Sequence, residues 1–175
     1  MKPTHKRTAF TIITGFLGSG KTTLLNRLLT AEHGLKLAVI INEFGDINLD
    51  NELIVDSIGD SFVEMNNGCV CCTVREDLLA GLGALVDKRR DGILDFDHIV
   101  METTGLAKPG SIIQTIAVDA LKTTLTLGGV ITLVDAFHGS SQLDKHREAQ
   151  EQVGMADVIV LNKIDLVDSK SLIAL

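Results

Sequence analysis

Four short stretches of this chain hold side chains whose types and spacing can do chemistry. The first, GFLGSGKT at Gly15–Thr22, fits the pattern G-x-x-x-x-G-K-[ST]. In that pattern Gly15, Gly18 and Gly20 let the backbone wrap tightly, so successive N–H groups, that of Ser19 among them, face a β-phosphate. Lys21 would reach the β- and γ-phosphates, and the Thr22 hydroxyl would bind Mg²⁺, with Thr23 beside it. The helix expected next points its positive dipole end at the same anion. The plain alternative is a glycine-rich strand-to-helix turn with no ligand.

The second stretch is NKID, Asn162–Asp165. A carboxylate at Asp165 can accept from both the ring N–H and the exocyclic amino group of guanine. Adenine offers neither, and a buried unpaired carboxylate is costly. Asn162 would brace the loop, and the aliphatic stem of Lys163 could lie along the base. The third is ETTG, Glu102–Gly105, where Glu102 would serve Mg²⁺ through water and the Gly105 N–H would sense a γ-phosphate. Read plainly, it is a capping turn before Pro109. No water-orienting Gln follows it, so slow intrinsic hydrolysis is expected, stimulated by a partner, a dimer or a metal.

The fourth stretch, GCVCC, contains every thiol of the chain: Cys69, Cys71 and Cys72. Cys-x-Cys-Cys can wrap one soft cation, Zn²⁺ or Cu⁺, with a fourth ligand from Glu43, Asp46, a histidine or water. An open coordination position suits a metal that must be handed on. Buried structural cysteines, a redox pair and a purely structural zinc are the alternatives. Asp135 reads first as a helix cap; of the five histidines, His5 falls in the terminus, His33 at a helix end, His98 at the start of a strand, and His138 and His146 on a solvated face.

The elements that must position these stretches alternate along the chain. Strands are expected at Phe10–Thr14, Leu37–Ile41, Ser61–Met65, His98–Thr103, Gly129–Asp135 and Asp157–Asn162. Helices are expected after the glycine loop, over Thr73–Arg90, from Pro109 through Val118, and as one polar helix between the last two strands. Continuous apolar strands alternating with helices imply a mostly parallel α/β sheet covered on both faces. In such a sheet ligands bind at the carboxyl ends of the strands. Each of the four stretches follows an expected strand.

The 175 residues, 45% of them hydrophobic and 22% charged, are enough for one domain with a sizeable core. A net charge of −7 argues against nucleic-acid and anionic-membrane partners. No apolar run is long enough to span a bilayer, and a cytoplasmic location is expected. A reducing compartment also disfavours a disulfide framework.

Taken together, GFLGSGKTTLLN, NEFGD, GCVCC, ETTGLAKP, VDA and NKIDLV resemble, in this order, CobW-like GTPases, relatives of the hydrogenase and urease nickel-insertion GTPases. The resemblance runs from residue 9 to about residue 168. It implies a P-loop NTPase fold of the SIMIBI type and a GTP-hydrolysing metallochaperone or metal-insertion factor. The cofactors implied are GTP, Mg²⁺ and Zn²⁺, with Co²⁺ or another transition metal as an alternative. It marks Cys69, Cys71 and Cys72 as metal ligands and the segment from Glu43 onward as a switch region. Asp46 stands where the family frequently has Glu. The partners implied are a client metalloprotein and a nucleotide-dependent dimer. Residues 1–175 are expected to form the GTPase domain, without the family's separate C-terminal domain. Two other classes stay open: a P-loop ATPase or small-molecule kinase with structural cysteines, and a nucleotide-gated zinc-binding adaptor that turns over negligibly.

Overall fold

The structure, a computed structural model, describes residues 7–41, 62–64, 74–117 and 119–175. Its strands are β1 (Thr8–Gly15), β2 (Leu37–Ile41), β3 (Phe62–Glu64), β4 (His98–Glu102), β5 (Leu125–Asp135) and β6 (Val158–Asn162). They form one sheet in the order β3-β2-β4-β1-β5-β6, and every pairing is parallel. The helices are α1 (Lys21–Thr30), α2 (Val74–Arg90), α3 (Pro109–Ile116), α4 (Asp119–Lys122), α5 (Gly139–Lys145), α6 (Arg147–Gly154) and α7 (Ser169–Ala174).

Alternation along β1 sends side chains to two separate cores. Phe10 and Ile12 join Leu78, Leu82 and Leu85 of α2 and Ile112 and Ile116 of α3. Ile13 joins Val39, Val100, Leu133 and Leu25 of α1 on the opposite face. Phe10, Ile12, Ile13, Leu25 and Leu82 are fully buried. A strand covered on both faces has no solvent side, which is why β2 (LAVII) reads as an unbroken apolar run and why Ile99–Met101 in the middle of β4 does too.

Several boundaries differ from those read in the sequence. β5 begins at Leu125, four residues before Gly129, because its first residues pair with Thr8, Ala9 and Phe10 before the register shifts between Phe10 and Thr11. Gly128 is the residue left over at that bulge. The helix opened by Pro109 at its first turn ends at Ile116 rather than Val118. The single polar helix expected between β5 and β6 is two helices, α5 and α6. His146 separates them in an extended conformation (φ −123°, ψ 116°). The capping residue expected for α2, Thr73, lies outside the described residues.

Candidate functional site

Register places the chemistry at one edge. Ile13 of β1 pairs with Glu102 of β4, Gly15 pairs with Leu133 of β5, and Asp135 of β5 pairs with Asn162 of β6. The carboxyl ends of β1, β4, β5 and β6 therefore open side by side. The glycine loop leaves β1 here with Gly15, Gly18 and Gly20 at φ 144°, 73° and 98°, and α1 starts at Lys21.

Lys21 is 8% exposed, and its Nζ donates to Gly15 O at 3.0 Å and Phe16 O at 3.3 Å. Burial lowers its ammonium pKa, with the Glu102 carboxylate pulling the other way. The Thr22 hydroxyl donates to Glu102 Oε1 at 2.7 Å. A hydroxyl and a carboxylate held this close are hard oxygen donors of the kind Mg²⁺ takes, so these two residues fit that ion. Ser19 is fully buried, while Thr23 is exposed on the first turn of α1.

The NKID segment reaches the phosphate loop directly. Asn162 Nδ2 donates to Ser19 O at 2.9 Å. A Cβ on Gly20 would collide with that same nitrogen, so a glycine is required there twice over, by space and by its positive φ. Lys163 adopts a left-handed conformation (φ 58°, ψ 35°) that costs a non-glycine residue about 1–2 kcal/mol. Its Nζ donates to Asp135 Oδ2 at 2.8 Å. Asp165 lies exposed on the 3₁₀ turn Ile164–Leu166.

Asp135 is 1% exposed, and its other oxygen accepts from Phe137 N at 2.9 Å and His138 N at 3.2 Å. It is not the cap of α5, whose N-cap is His138 without a side-chain bond. It closes an Asx turn and anchors Lys163 instead. Burial pushes its carboxyl pKa up. The Lys163 ammonium and the two backbone N–H groups outweigh that, and the net shift is below the ordinary value.

Beyond Glu102, Thr103 N donates to Ile13 O at 3.0 Å and its hydroxyl to Thr14 Oγ1 at 2.8 Å, which fixes the start of ETTG against β1. Gly105 lies against the glycine loop: a Cβ there would stand 2.8 Å from Leu17 N. Ala107 N donates to Thr104 O at 3.1 Å and closes a turn over residues 104–107. The structure thus gathers Gly15 to Thr22, Glu102, Gly105, Asn162 and Lys163 into one place.

Two contacts at this site had no motif to announce them. His146 stacks on Phe16 of the glycine loop, with ring centroids 4.5 Å apart. Gln152 of α6 is fully buried, and its Nε2 donates to Gly105 O at 3.1 Å and Ala107 O at 3.0 Å. A lone amide on the inward face of a short polar helix was its only sequence signal.

Residues 9–174 match the family described as "CobW/HypB/UreG, nucleotide-binding domain". The chain belongs to this family. It is 46% identical over 159 residues to the zinc chaperone YjiA of Escherichia coli K12, covering 90% of this chain and 50% of that protein. It is 34% identical over 189 residues to the zinc chaperone CobW of a Sinorhizobium species, covering 93% and 52%. The crystal structure of Zn(II)-bound YjiA GTPase superposes with a TM-score of 0.72 at 39% identity, over 97% of this chain and 53% of that one. HypB of Archaeoglobus fulgidus, at 21% identity and a TM-score of 0.56 over 95% and 74%, shares the fold. The chain spans about half the length of the curated relatives it matches. The family's P-loop NTPase fold of the SIMIBI type is therefore the fold of this chain.

Cys69, Cys71, Cys72, Glu43 and Asp46 lie outside the described residues. Among the described residues, no three His, Cys, Asp or Glu side chains group as a metal site would need. Nor is any described helix long and apolar enough to cross a membrane.

Proposed function

We propose that this chain is the nucleotide-binding unit of a GTP-dependent zinc metallochaperone. The observation that carries the reading is the bond from Asn162 Nδ2 to Ser19 O, which ties a guanine-type NKxD segment to a phosphate-type loop. A base and a phosphate chain of one nucleotide would be read together by residues that already touch. Lys21 would neutralise phosphate charge, Thr22 and Glu102 would hold Mg²⁺, and Asp165 would select guanine. Bound Mg²⁺ supplies charge stabilisation at the β- and γ-phosphate oxygens.

Cys69, Cys71 and Cys72 would carry zinc as cargo, with Glu43 as a further ligand or switch contact. The names of the relatives, zinc chaperones and a Zn(II)-bound GTPase, support the metal and the nucleotide chosen. Turnover is expected to be slow, since no water-orienting Gln follows ETTG in the sequence. Zinc would pass to a client metalloprotein, in a cytoplasmic setting and with a nucleotide-dependent dimer as the working form.

The test is titration with a fluorescent GTP analogue, with and without Zn²⁺, on the wild type and on Cys71→Ala. An extrinsic fluorophore is needed because the chain has no Trp or Tyr. Coupling requires zinc to change GTP affinity, and GTP to change zinc affinity by the same factor. Cys71→Ala should abolish the effect. Preference for ATP, or a GTP affinity indifferent to saturating zinc, would defeat the reading.

A further inference from the structure

Gln152 poses a problem of chemistry. It is fully buried on α6, far in sequence from the glycine loop and from ETTG. Its Nε2 lies between two carbonyl oxygens, Gly105 O at 3.1 Å and Ala107 O at 3.0 Å. Only the nitrogen of the amide can donate to both, so the orientation of the side chain is fixed by its surroundings. The cost is on the other side: Oε1 is buried and finds no hydrogen-bond partner among the described residues. A methionine would fill the same volume without burying an idle acceptor. Buried polar groups with half their bonds missing are disfavoured for packing alone. The amide is retained for its two donors.

What those donors hold is a four-residue turn. Ala107 N closes it on Thr104 O, and Gly105 within it is pressed against Leu17 of the glycine loop. Gln152 thus clamps two carbonyls of the segment whose Gly105 N–H the sequence assigns to a γ-phosphate. α6 is itself anchored, because Thr132 of β5 donates its hydroxyl to Gln152 O at 2.8 Å. The path runs from β5 through the Gln152 backbone and side chain to the Gly105 turn.

We propose that Gln152 is the positioning residue of the γ-phosphate-sensing turn: it sets the Gly105 peptide so that the site distinguishes a nucleoside triphosphate from a diphosphate. This rests on the guanine-nucleotide reading above. Gln152 does not touch the nucleotide. It works through the turn: it holds the Gly105 and Ala107 carbonyls, Ala107 N in turn holds the Thr104 carbonyl of the peptide that carries the Gly105 N–H, and any movement of that turn passes to α6.

The experiment compares a fluorescent non-hydrolysable GTP analogue with fluorescent GDP, in Mg²⁺, on the wild type and on Gln152→Met. Methionine keeps the length and removes both donors. GDP affinity should stay within about twofold, and affinity for the triphosphate should fall about tenfold, the equivalent of one or two lost hydrogen bonds. A merely structural residue would weaken both nucleotides alike. An unchanged triphosphate-to-diphosphate ratio in folded Gln152→Met overturns the proposal. If the wild type binds neither guanine nucleotide, the underlying functional reading falls and takes this one with it. If the variant does not fold, the wild type decides by nuclear magnetic resonance. The Gln152 side-chain amide protons must shift when the triphosphate analogue replaces GDP, and identical resonances in both states overturn the proposal.

Discussion

Replacing Asp135 with Asn keeps its shape and removes its charge. The Asn oxygen can still accept from Phe137 N and His138 N, so the Asx turn survives. The Asn nitrogen then faces the Lys163 ammonium, donor against donor, and the 2.8 Å bond is lost. A hydrogen bond between charged groups contributes about 1.5–3 kcal/mol. The Lys163 side chain is 37% exposed, so solvent screens its end of the pair and the lower figure, about 1.5 kcal/mol, applies. For a chain of this length that is about 3–6 °C in melting temperature.

The pH dependence gives a second, independent handle on the same group. The folded carboxyl titrates below its ordinary value of 3.8. Its contribution is therefore fully present above that value and is lost as the pH falls through the lower folded pKa. Calorimetry of wild type and Asp135→Asn should show a constant gap from neutral pH down to about pH 5, closing under stronger acid. Equal melting temperatures at pH 7, or a gap that persists unchanged to pH 3, would refute the assignment of Asp135 to Lys163.

Other substitutions test other joints of the site. Gly20→Ala introduces a Cβ at φ 98° against Asn162 Nδ2, and should cost about 2–3 kcal/mol in urea unfolding from strain and the lost bond to Ser19 O. A loss below about 0.5 kcal/mol would mean that the loop relaxes freely. Thr22→Val removes the hydroxyl bonded to Glu102 Oε1 at matched size, and should erase the Mg²⁺-dependent increment of GDP binding while leaving metal-free binding nearly intact. An undiminished Mg²⁺ effect, followed by isothermal titration, counts against Thr22 as a ligand. Leu82→Ala empties a fully buried position beneath β1 and should cost about 2–5 kcal/mol without altering guanine preference.

The parts of the fold that were legible in the sequence are those set by local pattern. β2 was read at its observed bounds because a doubly covered strand is apolar throughout. The glycine loop was readable because its φ values demand glycine at spaced positions. The start of β5 was not, since Thr126, Gly128 and Gly129 interrupt its apolar character. Nor was the break at His146, where DKHREAQ has neither Gly nor Pro to mark it. The pairs Asp135–Lys163 and Gln152–Gly105 span 28 and 47 residues, and only sheet register and the docking of α6 bring them together. A lone aspartate after a strand looks like a cap until its long-range partner is seen.

The strand order carries a metrical consequence. The glycine loop leaves β1, the NKID segment leaves β6, and β5 alone lies between them. Two strand spacings separate the two exits, about 10 Å of sheet edge. The sheet is thus a fixed gauge. Loop substitutions can change what the two segments grip, but not the spacing of the strand ends from which they leave, and the Asn162–Ser19 bond is where the segments meet across it.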